Sequence, residues 1–336
     1  MNPFETVVLM SVYEKERVEH FRDAMISIIS QTDRNFHVLL MLDGPVSAEL
    51  ISCLNDLNDG RIHVLQNALN QGLAGSLNAL IEAAMRGPYE FLARMDSDDV
   101  ADPERLQKQV EFLRRRPDVD LVGTFCEEVD EVGKHLFLKT LPTHDVQLKR
   151  NMLRRCPFVH STVMFRRRVF ASGTRYRSDT HLTEDMFLWV ELAKAGFTFA
   201  NIPEPLLKYR MGREFYRKRR GLRKAISEYK ARRFVAEELG VEAELVTLSF
   251  DGTRYEVKQR RVVIGRSREC DVQLSDTNVS RRHAELRQEG ASYWIVDLGS
   301  TNGLEVNGKR VKRAKLNDGD TITVGSTEVR FSQEQP

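Results

Sequence analysis

No run of about 18 uninterrupted apolar residues occurs in this 336-residue chain, so no membrane-spanning helix is expected. Met1-Asn2-Pro3-Phe4-Glu5 lacks a basic segment followed by a long apolar stretch, and no secretion signal is read there. Cysteine is sparse. Cys53, Cys126, Cys156 and Cys270 are scattered, with neither metal-ligand spacing nor the density of a disulfide framework, so a reducing, cytoplasmic compartment is expected. Charge of one sign is lacking too: 51 Lys+Arg stand against 49 Asp+Glu, a net charge of +2. That balance speaks against a generic nucleic-acid binder, which needs a strong positive field. Internal repeats and low-complexity tracts are absent. What the chain does have is 41% apolar and 30% charged residues, enough for ordinary cores and too apolar for a disordered chain. Its length suggests about two domains.

The first 210 or so residues alternate strand-like and helix-like runs. Strands are expected at Thr6–Val12, His37–Leu42, Arg61–Leu65 and Phe91–Met95. Helices are expected at Arg17–Gln31, Ala48–Leu57, Ser76–Met85 and Pro103–Arg115. Such alternation implies a mostly parallel sheet covered on both faces, whose ligands sit at the carboxyl ends of the strands. Tyr13, Asp43, Asn70 and Asp96 fall at those ends. From about Leu245 the pattern changes to short β runs separated by turn pairs such as Asp251-Gly252, Asn302-Gly303, Asn307-Gly308 and Asp318-Gly319, the pattern of a β-sandwich. Between the two, Lys208–Gly240 is rich in Lys and Arg, with partial helical spacing at Leu222, Ile226, Tyr229, Phe234 and Val235. The expected domains are 1–210, a basic helical extension or linker over 211–244, and 245–336.

Ala93-Arg94-Met95-Asp96-Ser97-Asp98-Asp99 runs an apolar strand into three carboxylates within four positions. Such crowding is self-repelling without a cation, and Asp is a hard oxygen ligand suited to Mg²⁺ or Mn²⁺. The bland alternative is an acidic turn before a helix that Asp102-Pro103 caps. Leu40-Met41-Leu42-Asp43-Gly44, the segment Asn70-Gln71-Gly72-Leu73-Ala74-Gly75-Ser76-Leu77-Asn78, and Ser11-Val12-Tyr13 flank it in order. Over about residues 4–210 this series resembles the family 2 glycosyltransferases of GT-A fold (Rossmann-like α/β).

The resemblance implies roles for these residues. Ser11, Val12 and Tyr13 wall the nucleotide base, often uracil, and Asp43 hydrogen-bonds it. Asn70 and Gly72 border the pocket. Arg94 and Asp96 contact the nucleoside side, Asp98 is the principal ligand of Mn²⁺ or Mg²⁺ with Asp96 near the metal, and Asp99 is a further ligand or stands behind the ligands. In Thr183-Glu184-Asp185-Met186 two carboxylates open a helix, which by itself suits the helix dipole; by resemblance Asp185 is the general base and Glu184 supports it at the acceptor side. A positioned carboxylate that takes the acceptor's proton contributes about 10²–10⁴-fold. His160, at the start of an expected β run, is either a hydrogen-bonded structural residue or, by resemblance, close to donor sugar or acceptor. Arg210 is expected to reach the diphosphate. Many relatives carry a histidine metal ligand soon after such an arginine, whereas Met211-Gly212-Arg213 follows here. The basic clusters Arg114–Arg116, Arg166–Arg168 and Arg217–Arg220 read as solvated faces or as contacts to anionic lipid or a lipid-diphosphate acceptor.

Ile264-Gly265-Arg266-Ser267, Val279-Ser280-Arg281-Arg282-His283, Asp297-Leu298-Gly299-Ser300-Thr301-Asn302-Gly303, Val306-Asn307-Gly308 and Leu316-Asn317-Asp318-Gly319-Asp320 occur in that order. Over about 245–332 this series is similar to the forkhead-associated (FHA) domain, an all-β sandwich whose loops bind phosphothreonine peptides. The resemblance assigns phosphate contact to Arg266 and Ser280, with help from Arg281, places Thr301 and Asn302 on the loop that holds phosphate and peptide, and makes His283 a structural brace. Rigidly presented cationic and neutral donors are what a phosphothreonine requires.

The expectation is thus a metal-dependent, inverting glycosyltransferase that takes a nucleotide-sugar, a UDP-sugar by preference, and a glycan or lipid-linked acceptor, recruited or regulated through a phosphothreonine protein. It is expected in the cytoplasm, and at the inner membrane surface in the reading in which its basic segments contact lipid. The rival expectations are a phosphopeptide scaffold with an inactive transferase half, and an engineered fusion of two proteins. A nucleotidyltransferase is disfavoured because Ser11-Val12-Tyr13-Glu14-Lys15-Glu16 has no glycine to grip a triphosphate.

Overall fold

Successive residues of a strand point to opposite faces, and in the strand Thr6–Val12 both sets are apolar: Val8, Met10 and Val12 enter one buried cluster, Val7 and Leu9 another. A sheet so built is covered by helices on both sides. The computed structural model describes residues 5–212, 222–239, 245–257, 259, 261–289 and 292–334. The chain divides into two compact units, Met1–Val241 and Glu242–Pro336.

In chain order the first unit contains β1 (Thr6–Val12), α1 (Val18–Ile29), β2 (Phe36–Asp43), α2 (Ala48–Leu57), β3 (Ile62–Asn67), α3 (Gly72–Arg86), β4 (Phe91–Asp96), β5 (Val100–Ala101), α4 (Arg105–Arg115), β6 (Leu121–Val129), β7 (His135–Lys139), α5 (Asp145–Arg150), β8 (Met164–Arg166), α6 (Arg167–Ala171), α7 (Glu184–Lys194), β9 (Phe199–Arg210) and α8 (Leu222–Leu239). The sheet order is β3-β2-β1-β4-β8-β6-β9-β5, with β7 paired to β6 off this path. Strands β1 to β4 run parallel, as do β6 and β9, while β8 lies antiparallel between β4 and β6. Phe21, Met25, Leu50, Leu106 and Val110, from α1, α2 and α4, cover one face. Leu77, Leu80, Phe170, Trp189 and Val235, from α3, α6, α7 and α8, cover the other. The chain crosses from the first face to the second at α3, so β1 and β4 flank a topological switch point, where a crevice opens at the strands' carboxyl ends.

Several local expectations are corrected. The third helix begins at Gly72, not Ser76, and the fourth at Arg105, where Asp102 Oδ1 accepts from Glu104 N–H (2.9 Å) ahead of the helix. His160–Thr162 is a 3₁₀ turn, and the strand starts only at Met164. Lys208–Arg210 ends the long strand β9 instead of opening a helix. Among the described side chains of α8, Ala231 and Val235 are the buried apolar residues, whereas Ile226 and Tyr229 are exposed and the side chain of Leu222 lies outside the described residues; a helix rich in Lys and Arg meets the core over a narrow stripe.

The second unit is a sandwich of two sheets. One is ordered β11-β10-β20-β19-β16-β17 and the other β13-β12-β14-β15-β18, from β10 (Leu245–Phe250), β11 (Thr253–Glu256), β12 (Arg261–Gly265), β13 (Val272–Gln273), β14 (Ala284–Glu289), β15 (Ser292–Asp297), β16 (Leu304–Val306), β17 (Lys309–Val311), β18 (Arg313–Leu316), β19 (Thr321–Val324) and β20 (Thr327–Glu334). Val262, Ile264, Leu286, Ile295, Ile322 and Phe331 fill the space between the sheets. Asp251-Gly252 and Asn307-Gly308 place both residues at positive φ (47° and 74°; 51° and 73°), the backbone a tight hairpin demands. Strands β13, β16, β17 and β18, at two to four residues, are too short to show alternation in the sequence.

Candidate functional site

Register sets the first unit's site. Ser11, next to last in β1, pairs with Asp96 at the end of β4 and with Met41 on β2, and Asp43 pairs with Asn67 at the ends of β2 and β3. Val12 is buried beneath, while Ser11 and Tyr13 are half-buried at the rim.

Directly after β4, single carboxylate oxygens of Asp96, Asp98 and Asp99 lie within 4.8 Å of one another. Burial and the charges of Asp99 and Asp96 hold Asp98 well above the usual carboxylate range. Burial and the Asp96 charge push Asp99 up to about 7. Asp99 is 1% exposed and its Oδ1 accepts from Arg210 N–H (2.9 Å), yet its Oδ2 is buried without a hydrogen bond of ordinary geometry. Three hard oxygen donors crowded together with an excess of negative charge, one of them beside the Ser161 hydroxyl, fit a divalent cation. Arg94 is also buried. Its Nη2 pairs with Asp96 Oδ1 at 2.5 Å, while Nε and Nη1 have no partner. Two buried cationic donors without an acceptor beside an acid cluster are suited to an anionic ligand.

The turn is braced from behind. Arg105, 0% exposed, donates from Nη2 to Arg94 O (2.6 Å) and from Nε to Gln109 Oε1 (3.1 Å), and Gln109 Nε2 donates on to Val122 O and Thr162 O (3.0 and 2.7 Å). Ser97 Oγ donates to Glu16 Oε2 (2.7 Å). Arg210 belongs to this bracing: its Nε donates to Asp98 O (2.9 Å), its Nη1 to Glu131 O (2.8 Å), and its Nη2 pairs with Asp23 Oδ2 (3.3 Å). The guanidinium expected at a diphosphate is thus engaged by the acidic turn's own backbone. Next in the chain, where a histidine ligand is expected by resemblance, Met211 N–H donates to Val129 O (2.7 Å). A cleft of about 700 Å³ lies on that side, lined by Asp23, Ser27, Ala101, Val129, Leu207 and Arg210, and the three carboxylates are not part of its wall.

Asp43, 4% exposed, closes the opposite rim. Its Oδ1 accepts from Asn67 Nδ2 (2.9 Å) and Gln71 N–H (2.8 Å), and its Oδ2 accepts from Gly72 N–H (2.9 Å). A carboxylate at the first amides of α3 satisfies orphan donors and faces the positive end of the helix. Asn70 spans the same turn, donating from Nδ2 to Asp43 O (3.1 Å) and accepting at Oδ1 from Gly72 N–H (3.2 Å). Gly44 has φ +86°, and a Cβ there would stand 2.8 Å from Asn70 N, so only glycine fits.

The second acidic pair opens α7. Glu184 is 9% exposed, and burial followed by the Asp185 charge raises its pKa. Asp185 Oδ1 accepts from Met186 N–H (2.8 Å), and its Oδ2 lies 3.5 Å from Cys156 Sγ. His160 Nε2 meets Tyr176 Oη at 2.8 Å, its ring edge-on to Trp189 (5.8 Å, 85°), and burial drives its pKa well down, so a neutral imidazole is held here. Tyr176 is the residue that sequence reasoning missed. Burial raises its pKa, and the charges of Arg94, Asp185, Glu184 and Asp96 all act on it. Asn78 on α3 fixes it, exchanging two hydrogen bonds with the Tyr176 backbone (2.8 and 2.9 Å); a lone Tyr in a loop gave no pattern to read.

Leu182, just ahead of this pair, adopts φ +55°, which costs a residue with a Cβ about 1–3 kcal/mol. The basic clusters differ: Arg166 and Arg167 turn inward, whereas Arg114–Arg116 lie on a solvated face. Arg166 and Arg167 donate to backbone carbonyls of Leu113, Val119, Met85 and Gly87, and Arg168 pairs with Asp120 at 2.5 Å. Arg114, Arg115 and Arg116 pair with Glu5, Glu111 and Asp118. Arg217–Arg220 lies outside the described residues. Among the described residues no helix is long and apolar enough to cross a membrane.

In the second unit three loops converge. Ser280 Oγ accepts from Thr301 N–H (3.0 Å), Arg266 Nε donates to Val279 O (3.2 Å), and Asn302 Nδ2 donates to Asn278 O (2.8 Å). His283, fully buried, accepts at Nδ1 from Ser280 N–H (3.2 Å) and bonds through Nε2 to Gly303 O (2.9 Å), tying the serine loop to the threonine loop. Arg266, Arg281, Thr301 and Asn302 remain exposed on this rim. The result is a fixed row of donors at the edge of a rigid sandwich.

Comparison with known proteins gives two family matches. Residues 7–173 match the model "Glycosyl transferase family 2", and residues 262–325 match the model "FHA domain". The chain is 34% identical over 215 residues to the amylovoran biosynthesis glycosyltransferase AmsE of Erwinia amylovora, covering 64% of this chain and 79% of that protein. It is 29% identical over 231 residues to the UDP-Gal:alpha-D-GlcNAc-diphosphoundecaprenol beta-1,3-galactosyltransferase of Escherichia coli, 67% of this chain and 80% of that one. Among solved structures, S. aureus TarS in complex with UDP-GlcNAc is similar in fold, with TM-score 0.55 at 17% identity, over 70% of this chain and 66% of that one.

Proposed function

Because the chain belongs to glycosyl transferase family 2, with a C-terminal FHA domain, we propose that it transfers a sugar from a UDP-sugar to a glycan or lipid-linked hydroxyl in polysaccharide biosynthesis, inverting the anomeric centre, under recruitment by a phosphothreonine protein. The single observation that carries this reading is the switch point between β1 and β4, where register sets Ser11 beside Asp96, with Asp98, Asp99 and the half-unpartnered Arg94 at the same end.

In this reading Ser11, Val12 and Tyr13 flank the base, Asp43 presents its remaining acceptor capacity to it, and Asn70 and Gly72 shape the rim. Arg94 and Asp96 face the nucleoside and its phosphates. Asp98, with Asp96, would hold Mn²⁺ or Mg²⁺; what such an ion supplies is positive charge against the departing diphosphate. The acceptor oxygen attacks the anomeric carbon as the bond to the diphosphate breaks, and the hydroxyl proton passes to Asp185, with Glu184 beside it and His160 and Tyr176 lining the sugar's side. One displacement inverts the centre. Arg210 acts by fixing the acidic turn. In the FHA domain Arg266, Ser280 and Arg281 take the phosphate, while Thr301 and Asn302 take phosphate and peptide backbone.

UDP release from UDP-galactose and UDP-N-acetylglucosamine with Mn²⁺ tests the reading. Metal-dependent release that is lost in Asp98→Ala and sharply reduced in Asp185→Asn is the expected result. Release that both variants retain overturns the site assignment. No release and no calorimetric binding of any nucleotide-sugar overturns the activity.

A further inference from the structure

The acidic pair Glu184-Asp185 is gripped from outside the sheet by α8. Lys224 Nζ donates to the carbonyl of Leu182, the residue at φ +55°. One turn on, Ser227 Oγ accepts from His181 N–H (3.2 Å) and lies 2.7 Å from Thr183 Oγ1. Residues three apart share a helix face, so one face of α8 holds three consecutive residues. The next two are Glu184 and Asp185. Lys224, Ser227 and Thr183 are 8%, 7% and 4% exposed, so the Thr183–Ser227 bond is buried and the other two are partly so. Thr183 flanks the N-terminus of α7, where a hydroxyl ordinarily caps the first amides. Here it makes no such bond; its hydroxyl faces Ser227. The start of α7 is thus fixed by α8 in place of its own cap, and the left-handed Leu182 persists because the surroundings determine it.

Resting on the acceptor-side reading of Glu184 and Asp185, we propose that Lys224 and Ser227 are positioning residues that hold this acidic pair in place for proton removal. Neither touches the reacting atoms in that reading. Ser227 acts through the turn His181–Thr183, and Lys224 acts through the same turn and through its charge, which favours the ionised Glu184.

Hydrogen exchange and kinetics on the full chain decide it. In Ser227→Ala and Lys224→Met, exchange at residues 181–187, read without donor, should quicken by about tenfold or more. With UDP-galactose and Mn²⁺, kcat should fall by about tenfold to a hundredfold while KM for the donor stays within about twofold. Lys224→Arg should recover most of the lost kcat. If Lys224→Met does not fold, Ser227→Ala carries the test. Wild-type exchange in Ser227→Ala overturns the proposal, as does quickened exchange with wild-type kcat. An Asp185→Asn variant with wild-type kcat overturns the reading of the pair itself; a wild-type Ser227→Ala beside an inactive Asp185→Asn overturns the positioning role alone.

Discussion

Asp43 links the end of β2 to the start of α3, and its removal should be measurable without any substrate. Asp43→Ala deletes the acceptor for Gln71 N–H and the shorter of the two acceptors of Gly72 N–H, which keeps Asn70 Oδ1 (3.2 Å), while Asn67 keeps its bond to Ser76 Oγ (3.1 Å). Losing an acceptor at a helix N-terminus costs about 0.5–2 kcal/mol. The carboxylate's attraction to the positive end of the helix adds about 0.3–1 kcal/mol. The expected destabilisation is therefore about 2 kcal/mol, or a fall of about 4–8 °C in the melting temperature of a unit this size. Asp43→Asn keeps one acceptor oxygen and should lose about half as much. The assay is unfolding followed by tryptophan fluorescence. The chain has two tryptophans: Trp189, fully buried in the first unit, and Trp294, stacked under Arg313 (4.3 Å) in the second. In a Trp294→Phe background, Trp189 reports on the first unit. A loss below about 0.5 kcal/mol in Asp43→Ala, within the range of an ordinary surface substitution, would refute the claim that this carboxylate ties the two elements together.

With Asp98 and Asp99 raised by burial and mutual repulsion, the folded first unit binds more protons than the unfolded chain between about pH 4 and about 7. Without divalent ion its melting temperature should therefore fall as pH rises through that window; Mn²⁺ should counter the fall and Asp99→Asn should flatten it, both read by the Trp189 melt. Gly44→Ala should cost about 1–3 kcal/mol by forcing a Cβ residue into positive φ against Asn70 N, measured by the same unfolding. In Ser280→Ala and Arg266→Ala, affinity for a phosphothreonine peptide library should drop by about tenfold or more with little change in melting; fluorescence anisotropy against the unphosphorylated library is the check, and equal binding of both libraries would sink the phosphate assignment.

Where apolar patterning was long, the sequence was easy to read: Thr6–Val12 and Ala48–Leu57 are an observed strand and helix residue for residue. The acidic run after β4 announced itself because three carboxylates at a strand end have few structural uses. Direction was harder. Nothing in Pro205–Arg210 indicates that the Arg210 side chain turns toward Asp98 O and Glu131 O instead of outward. Arg166–Arg168 reads as a charged surface, although all three of its guanidinium groups bind backbone carbonyls that only the fold brings near. Tyr176, Asn67 and Asn78 are single polar residues without spacing, and their importance arises from contacts across 16, 24 and 98 positions. The second unit's loops are legible as short ordered motifs, but the contacts that join them are not, since Ser280 meets Thr301 across 21 positions and Asn302 meets Asn278 across 24.

The seam between the two units falls after α8, at Val241, and this changes what it means to cut or exchange parts of the chain. A fragment ending at residue 210 contains every carboxylate of the site, yet it leaves Leu182 without Lys224 and Thr183 without Ser227. A fragment ending at 241 retains both. For recombination, whether natural or in the laboratory, the exchangeable cassette on the amino-terminal side therefore includes its basic tailpiece. An FHA domain swapped onto a different transferase should be joined downstream of that enzyme's own equivalent helix, with the sandwich as the cargo.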